Sequence, residues 1–127
     1  MVYAKDNTPA EMIKAMRLRH VYAATDNIIG EYGCIADGVE HMLGEEFSTS
    51  QPPTVNIRLR GTAPFAKLTL VKDDVEIPLE IEEQAELELS WTDPSPQAGK
   101  TSYYYVRGEQ TDGELVWLSP MWIKYEP

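Results

Sequence analysis

The sequence predicts a mainly β protein, an antiparallel β-sandwich preceded by one short N-terminal α-helix, and three observations carry that expectation. From Val55 onward, apolar and polar residues alternate with the period of two that a half-buried strand requires. The alternating segments recur at roughly ten-residue spacing and are separated by Gly, Pro and Asp turns. Ahead of them, Thr8-Pro9-Ala10-Glu11 carries the signals of a helix start.

Thr8 can cap a free backbone N–H, Pro9 suits the first helical position, and Glu11 stands where a capping box reaches back. The helix is expected from Pro9 to Arg19, with His20 at its end, where a cation suits the dipole. Met12, Ile13 and Met16 form one stripe along it. A helix this short is marginal alone, so the stripe should dock on the sandwich or on a larger partner domain.

Val2-Tyr3-Ala4 and Val21-Tyr22-Ala23-Ala24 read as short extended segments. Ile28 to Ile35 reads as a strand in which Gly30 and Gly33 mark a bulge or turn. Ser48-Thr49-Ser50-Gln51-Pro52-Pro53 is a polar, proline-bearing connection. Val55, Ile57 and Leu59 then alternate with Asn56, Arg58 and Arg60, and Leu68 and Leu70 with Lys67 and Thr69. Asp73-Asp74 turns the chain into Val75, Ile77, Leu79 and Ile81, where Pro78 on the polar side places that strand at a sheet edge. Ala85, Leu87, Leu89 and Trp91 make a further half-buried strand. After the turn-rich loop Asp93 to Gly99, Thr101 to Tyr125 reads as a closing hairpin turned at Asp112-Gly113, with Ser119-Pro120 breaking its second arm. About seven such strands point to an immunoglobulin-like or fibronectin-like sandwich.

A chain of 127 residues makes one domain with a core of its own, and its 43% hydrophobic content argues against disorder. The formal net charge is −10, and no stripe of Lys or Arg is present to neutralise phosphates. Nucleic acid and anionic membrane are therefore excluded as expected partners. Cys34 has no cysteine to pair with, and no apolar run approaches the roughly 18 residues of a membrane span. The first residues lack the basic flank and apolar stretch of a signal peptide.

No catalytic residue, metal site or cofactor is expected. His20 and His41 have no second His or Cys at ligand spacing, and His41 with Glu45 or Glu46 falls short of the three protein ligands a zinc site takes. Glu76, Glu80, Glu82, Glu83, Glu86 and Glu88 read as a solvated acidic face on two successive strands. The aromatic residues are the most informative feature. In Tyr103-Tyr104-Tyr105 alternate rings must point to opposite faces. Trp91, Tyr104, Trp117 and Trp122 are the candidate binding residues, for a carbohydrate or a protein, wherever they face solvent.

Several stretches also resemble a known family. Val2-Tyr3-Ala4-Lys5-Asp6-Asn7-Thr8-Pro9-Ala10-Glu11 and Met16-Arg17-Leu18-Arg19-His20-Val21-Tyr22-Ala23-Ala24-Thr25 are similar to the end of the catalytic domain in bacterial proteins of the PHP (polymerase and histidinol phosphatase) type. Gly61-Thr62-Ala63-Pro64-Phe65, Tyr103 to Arg107, and Asp112-Gly113 through Trp117 to Trp122 resemble their β-rich tail. The resemblance implies residues 1–25 as the last strand and helix of a metal-dependent hydrolase domain and 26–127 as a C-terminal sandwich. It places the metal-binding His and Asp residues upstream, so none is carried onto this chain. His20 and Ala24 stand where the family pattern has Arg and Thr. The expected partner is that upstream catalytic domain, and the expected role is a non-catalytic accessory one.

Overall fold

A computed structural model describes all 127 residues. Helix α1 (Pro9–Arg17) is followed by strands β1 (Tyr22–Ala24), β2 (Ile29–Ala36), β3 (Val39–Met42), β4 (Glu46–Thr49), β5 (Thr54–Arg60), β6 (Phe65–Lys72), β7 (Val75–Leu79), β8 (Glu86–Thr92), β9 (Thr101–Gln110), β10 (Leu115–Leu118) and β11 (Met121–Tyr125). They form two sheets, the smaller in the order β3-β2-β5-β8. In the larger sheet β9 is central, with β6 and then the edge strand β7 on one side and β10 and β11 on the other. The sandwich expected from the alternation is the observed fold.

Strands β10 and β11 are two halves of one strand. Trp117 faces Arg107 whereas Met121 faces Tyr104, so the last strand spends one more residue than β9 across Ser119-Pro120. Proline has no N–H to give the ladder, so a bulge is where a sheet tolerates it. The extra residue also resets which side chains point inward: Val116 and Leu118 are buried before it, Met121 and Ile123 after it. Beyond this strand, β1 pairs antiparallel with β10 and β4 pairs with β11. The β4·β11 pairing is parallel, against the wholly antiparallel expectation, because the chain leaves the smaller sheet after β3 and joins the larger one running alongside its last strand.

The core is one cluster of 19 buried side chains from both sheets, among them Ile28, Tyr32, Val55, Ile57, Phe65, Leu70, Tyr104, Val106 and Met121. Each large apolar side chain fully buried contributes roughly 1.5–3 kcal/mol. The expected bulge at Gly30 and Gly33 is not there: β2 pairs with β5 in unbroken register from Ile29 to Cys34. Gly30 is instead a point of close approach between the sheets, where a Cβ would lie 2.6 Å from Leu118. A Cβ on Gly33 would meet the His41 carbonyl.

Helix α1 starts as its sequence demands, with the Thr8 hydroxyl accepting from the Glu11 N–H at 3.3 Å and Pro9 in the first turn. It ends at Arg17, two residues before the expected boundary. Arg19 adopts φ 61°, its N–H reaches the Met16 carbonyl and the His20 N–H the Ala15 carbonyl, closing the helix with a left-handed cap. That conformation costs a non-glycine residue about 1–2 kcal/mol. The Arg19 side chain offsets it by donating from Nε to the Gly44 carbonyl at 2.8 Å and lying 5.0 Å over the Trp122 ring. The end of α1 is thus pinned to the crossover between β3 and β4. Tyr3 completes the attachment, its N–H donating to the His20 carbonyl and its hydroxyl to the Gly30 carbonyl.

The acidic residues read as one face on successive strands are divided between the sheets. β7 pairs only with β6 and β8 only with β5, so Glu76 and Glu86 do not face each other across a hairpin. Glu86 and Glu88 pair instead with Arg60 and Arg58 of β5, and Glu76 pairs with Arg107 of β9. These are exposed cross-strand pairs worth at most about 1 kcal/mol each.

Tyr32 is a polar exception within the core. Its hydroxyl is buried without a hydrogen-bond partner, and burial pushes its phenol well above the ordinary value. Removing a buried, unpaired hydroxyl removes its desolvation cost. Tyr32→Phe is therefore expected to keep the fold and raise stability by about 1 kcal/mol, read as a higher urea midpoint at unchanged slope.

Candidate binding sites

The structure separates the four candidate aromatics into two groups. Tyr104 is 1% exposed and belongs to the core. The alternation along β9 turns it inward and turns Tyr103 and Tyr105 outward, so Tyr104 is removed from the candidates that face solvent: its ring lies beneath the surface. Trp91 lies beside it, half-buried, with ring centroids 6.3 Å apart. Trp117 and Trp122 sit elsewhere, on the outer face of the larger sheet, opposite Arg107 and Tyr103. Trp117 is 39% exposed, whereas one side of Trp122 is occupied by Arg19. Tyr103 and Tyr105 share that outer face with parallel rings 6.4 Å apart.

Around Trp91 the chain builds a recess of about 580 Å³ between the two sheets. Its walls are the end of β6 and the β6–β7 turn (Lys72, Asp73), β7 (Val75, Ile77), Trp91, the loop from Asp93 to Lys100, and Ser102 of β9. The turn is tight because Asp73 and Asp74 both take positive φ, 46° and 68°, the hairpin geometry in which aspartate is tolerated. The Tyr103 N–H donates to Asp73 Oδ1, and Lys100 Nζ lies 3.4 Å from Asp73 Oδ2.

Asp93 is the centre of this end of the molecule. It is 2% exposed, yet every part of its carboxylate is engaged. Lys72 Nζ lies 2.5 Å from Oδ2, the Tyr104 hydroxyl donates to Oδ2 at 2.6 Å, and the Ser95 N–H donates to Oδ1 at 2.9 Å. Burial alone would raise its pKa, but the hydrogen bonds from Lys72, Tyr104 and Ser95 and the Lys72 charge outweigh burial and hold it below the ordinary value. The Tyr104 phenol is pushed far up, by burial and by its bond to Asp93. In the sequence Asp93 stands at the start of a turn-rich loop. Nothing local in Trp91-Thr92-Asp93-Pro94 marks it as buried, because its cation comes from Lys72, on a strand of the other sheet.

A second region with unmet contacts is α1. Only Ala15 of the helix is buried, while Met12, Ile13 and Met16 are 38%, 46% and 51% exposed. The stripe expected to dock faces away from the sandwich.

The remaining polar candidates form no site. His41 stacks on Phe47 at 3.7 Å between centroids and lies 3.5 Å from Glu45, and no group of three or more His, Cys, Asp or Glu side chains is placed to hold a metal ion. His20 contributes its backbone to the helix cap, and its Nε2 is buried without a partner. Cys34 is 2% exposed, and burial pushes its thiol up, away from the thiolate a nucleophile needs.

Comparison with known proteins adds context of size. The chain is 23% identical over 133 residues to an uncharacterized protein of Chlamydia pneumoniae, an alignment covering 91% of this chain and 21% of that protein. The chain therefore spans about a fifth of that relative's length. No protein-family profile matches the sequence, and no solved structure matches it.

Proposed function

We propose that the chain is a non-catalytic accessory domain that packs against, or positions substrate for, the catalytic domain of a PHP-like metal-dependent hydrolase. The observation that carries this reading is the uncovered apolar side of α1. A nine-residue helix with one buried residue does not hold itself together in water, since isolated helices shorter than about 12–15 residues are marginal there. Met12, Ile13 and Met16 present flexible, unbranched or β-branched apolar surface on a helix that the sandwich only pins at its end. A further domain laid against that side would bury it.

Two facts support a larger parent. A relative of similar sequence is about five times longer, and the residues resembling a hydrolase domain, Val2 to Thr25, are those that form α1 and its flanking segments. The connectivity of β5, β6, β8, β9 and the split last strand, with β4 parallel to its second half, also supports the immunoglobulin-like or fibronectin-like form of the sandwich.

Two measurements on the chain alone test the proposal. Calorimetric titration with zinc or manganese is expected to show no tight stoichiometric binding, and amide exchange is expected to be far faster in α1 than in β6 and β9. Stoichiometric metal binding would defeat the non-catalytic assignment. Protection of α1 equal to that of β9 would show that the helix needs no further partner.

A further inference from the structure

We propose that the recess beside Trp91 binds a neutral sugar, one or two rings in size, with the indole of Trp91 as its stacking wall. The inference stands on this recess and does not rest on the accessory-domain reading.

The size is right for a small ligand: about 580 Å³ lies within the usual range of small-molecule pockets. One wall is aromatic and fixed, because Trp91 is backed by the buried ring of Tyr104, which Asp93 holds through its hydroxyl. The part of the Trp91 indole that lines the recess supplies a flat apolar face of the kind that the C–H face of a pyranose ring covers.

The polar lining selects the charge of the ligand. Two ammonium groups and two carboxylates line the recess, already paired as Lys72 with Asp93 and Lys100 with Asp73. A charged ligand would have to break one of these pairs and leave a charge uncompensated, which is expensive for a carboxylate as buried as Asp93. Sugar hydroxyls both donate and accept. They can take hydrogens from the lysines and give them to Asp73, the carboxylate that is partly exposed, with both pairs intact, and Ser95, Gln97 and Ser102 add uncharged partners. The bonds fixing Asp93 and Asp73 exist without ligand, so little ordering is left to be done on binding. The outer-face aromatics lack these properties. Trp117 is not part of this recess, and Arg19 already covers one side of Trp122.

The test follows the three indole N–H resonances by NMR as the chain is titrated with glucose, galactose, mannose, xylose, N-acetylglucosamine and cellobiose. At least one of these is expected to shift the Trp91 resonance saturably, with Kd on the order of 1 mM, leaving Trp117 and Trp122 in place. Trp91→Ala should weaken binding at least tenfold, and the rim changes Gln97→Ala and Lys100→Ala, which remove no core side chain, should each weaken it several-fold. Trp117→Ala should leave it unchanged. The proposal is overturned if no sugar moves Trp91 saturably, if the rim variants bind as the parent does, if Trp117→Ala abolishes binding, or if only inorganic phosphate or acetate produces the shift.

Discussion

Asp93→Ala is expected to destabilise the protein by about 3–5 kcal/mol, the usual result of removing one member of a buried, hydrogen-bonded ion pair. The loss comes from what remains: Lys72, whose side chain is 16% exposed, would face a recess without its counter-charge, and the Tyr104 hydroxyl would be buried without an acceptor. Asp93→Asn keeps the shape and one acceptor oxygen, enough for Ser95 or Tyr104 but not both, so it should cost less than alanine while still losing the charge and one hydrogen bond. Urea unfolding of the two variants ranks these losses.

The same carboxylate gives a pH signature. Its pKa in the folded protein lies below the ordinary value of 3.8, so the folded state favours the ionised form. The stability this supplies is present above the ordinary carboxylate range and is lost as pH falls through the folded pKa. Asp73 and Asp26 are also held low, so the acid limb is shared. The dependence of stability on pH below about pH 4 should become shallower in Asp93→Ala without disappearing.

Gly44→Ala is the second large effect, and it acts at the other end of the molecule. Gly44 has φ 91°, and a Cβ there would lie 2.2 Å from the Arg19 carbonyl oxygen and 2.5 Å from its carbon. Backbone atoms cannot rotate away. A non-glycine residue with positive φ already costs about 1–2 kcal/mol, and displacing Arg19 adds to that. Gly38 provides the comparison, with φ 81° and nothing within 4 Å of its Cβ position. Gly38→Ala should show the conformational cost alone, about 1 kcal/mol, while Gly44→Ala should exceed about 2 kcal/mol. Amide exchange should show that the excess comes with loss of protection around β1, whose approach to the sheet depends on the Arg19 junction.

The parts of the fold legible in the sequence were those written in local chemistry. Thr8 and Pro9 place the start of α1, and the clean alternation from Val55 to Leu59 places β5 with its inward face correct. The closing hairpin turns at Thr111-Asp112-Gly113 with Gly113 at φ 86°. Asp37-Gly38 is the same dipeptide in a tighter, two-residue turn, with both residues at positive φ (49° and 81°), joining β2 to β3. As a hairpin it is hard to read because Gly30 and Gly33 obscure the strand before it, where they allow close approach to Leu118 and His41 rather than a bend. β4 was hidden for another reason. Its residues Glu46 to Thr49 run into a polar connection, and only the position of β11 makes them a strand.

The candidate site shows the same division. Trp91 was visible as a large aromatic on a regular strand, but its recess was not, since Lys72 and Lys100 reach it from other strands and loops. The face of Tyr104 stays open in the sequence, because a run of three tyrosines alternates without saying which member is inside, and the structure puts Tyr104 there.

The split last strand governs how the chain reaches this structure. β10 and β11 supply the partners of β1, β4 and β9, so Tyr22 finds its place only opposite Leu118, and Glu46 only beside Trp122. Ring closures of that length make the folding barrier largely a matter of chain entropy, and proteins dominated by such distant pairings fold on the millisecond to second scale. During synthesis β1 and β4 emerge long before the strand that receives them. Until residues 115–125 arrive, both remain open edges, and the larger sheet is completed from the carboxyl end backwards.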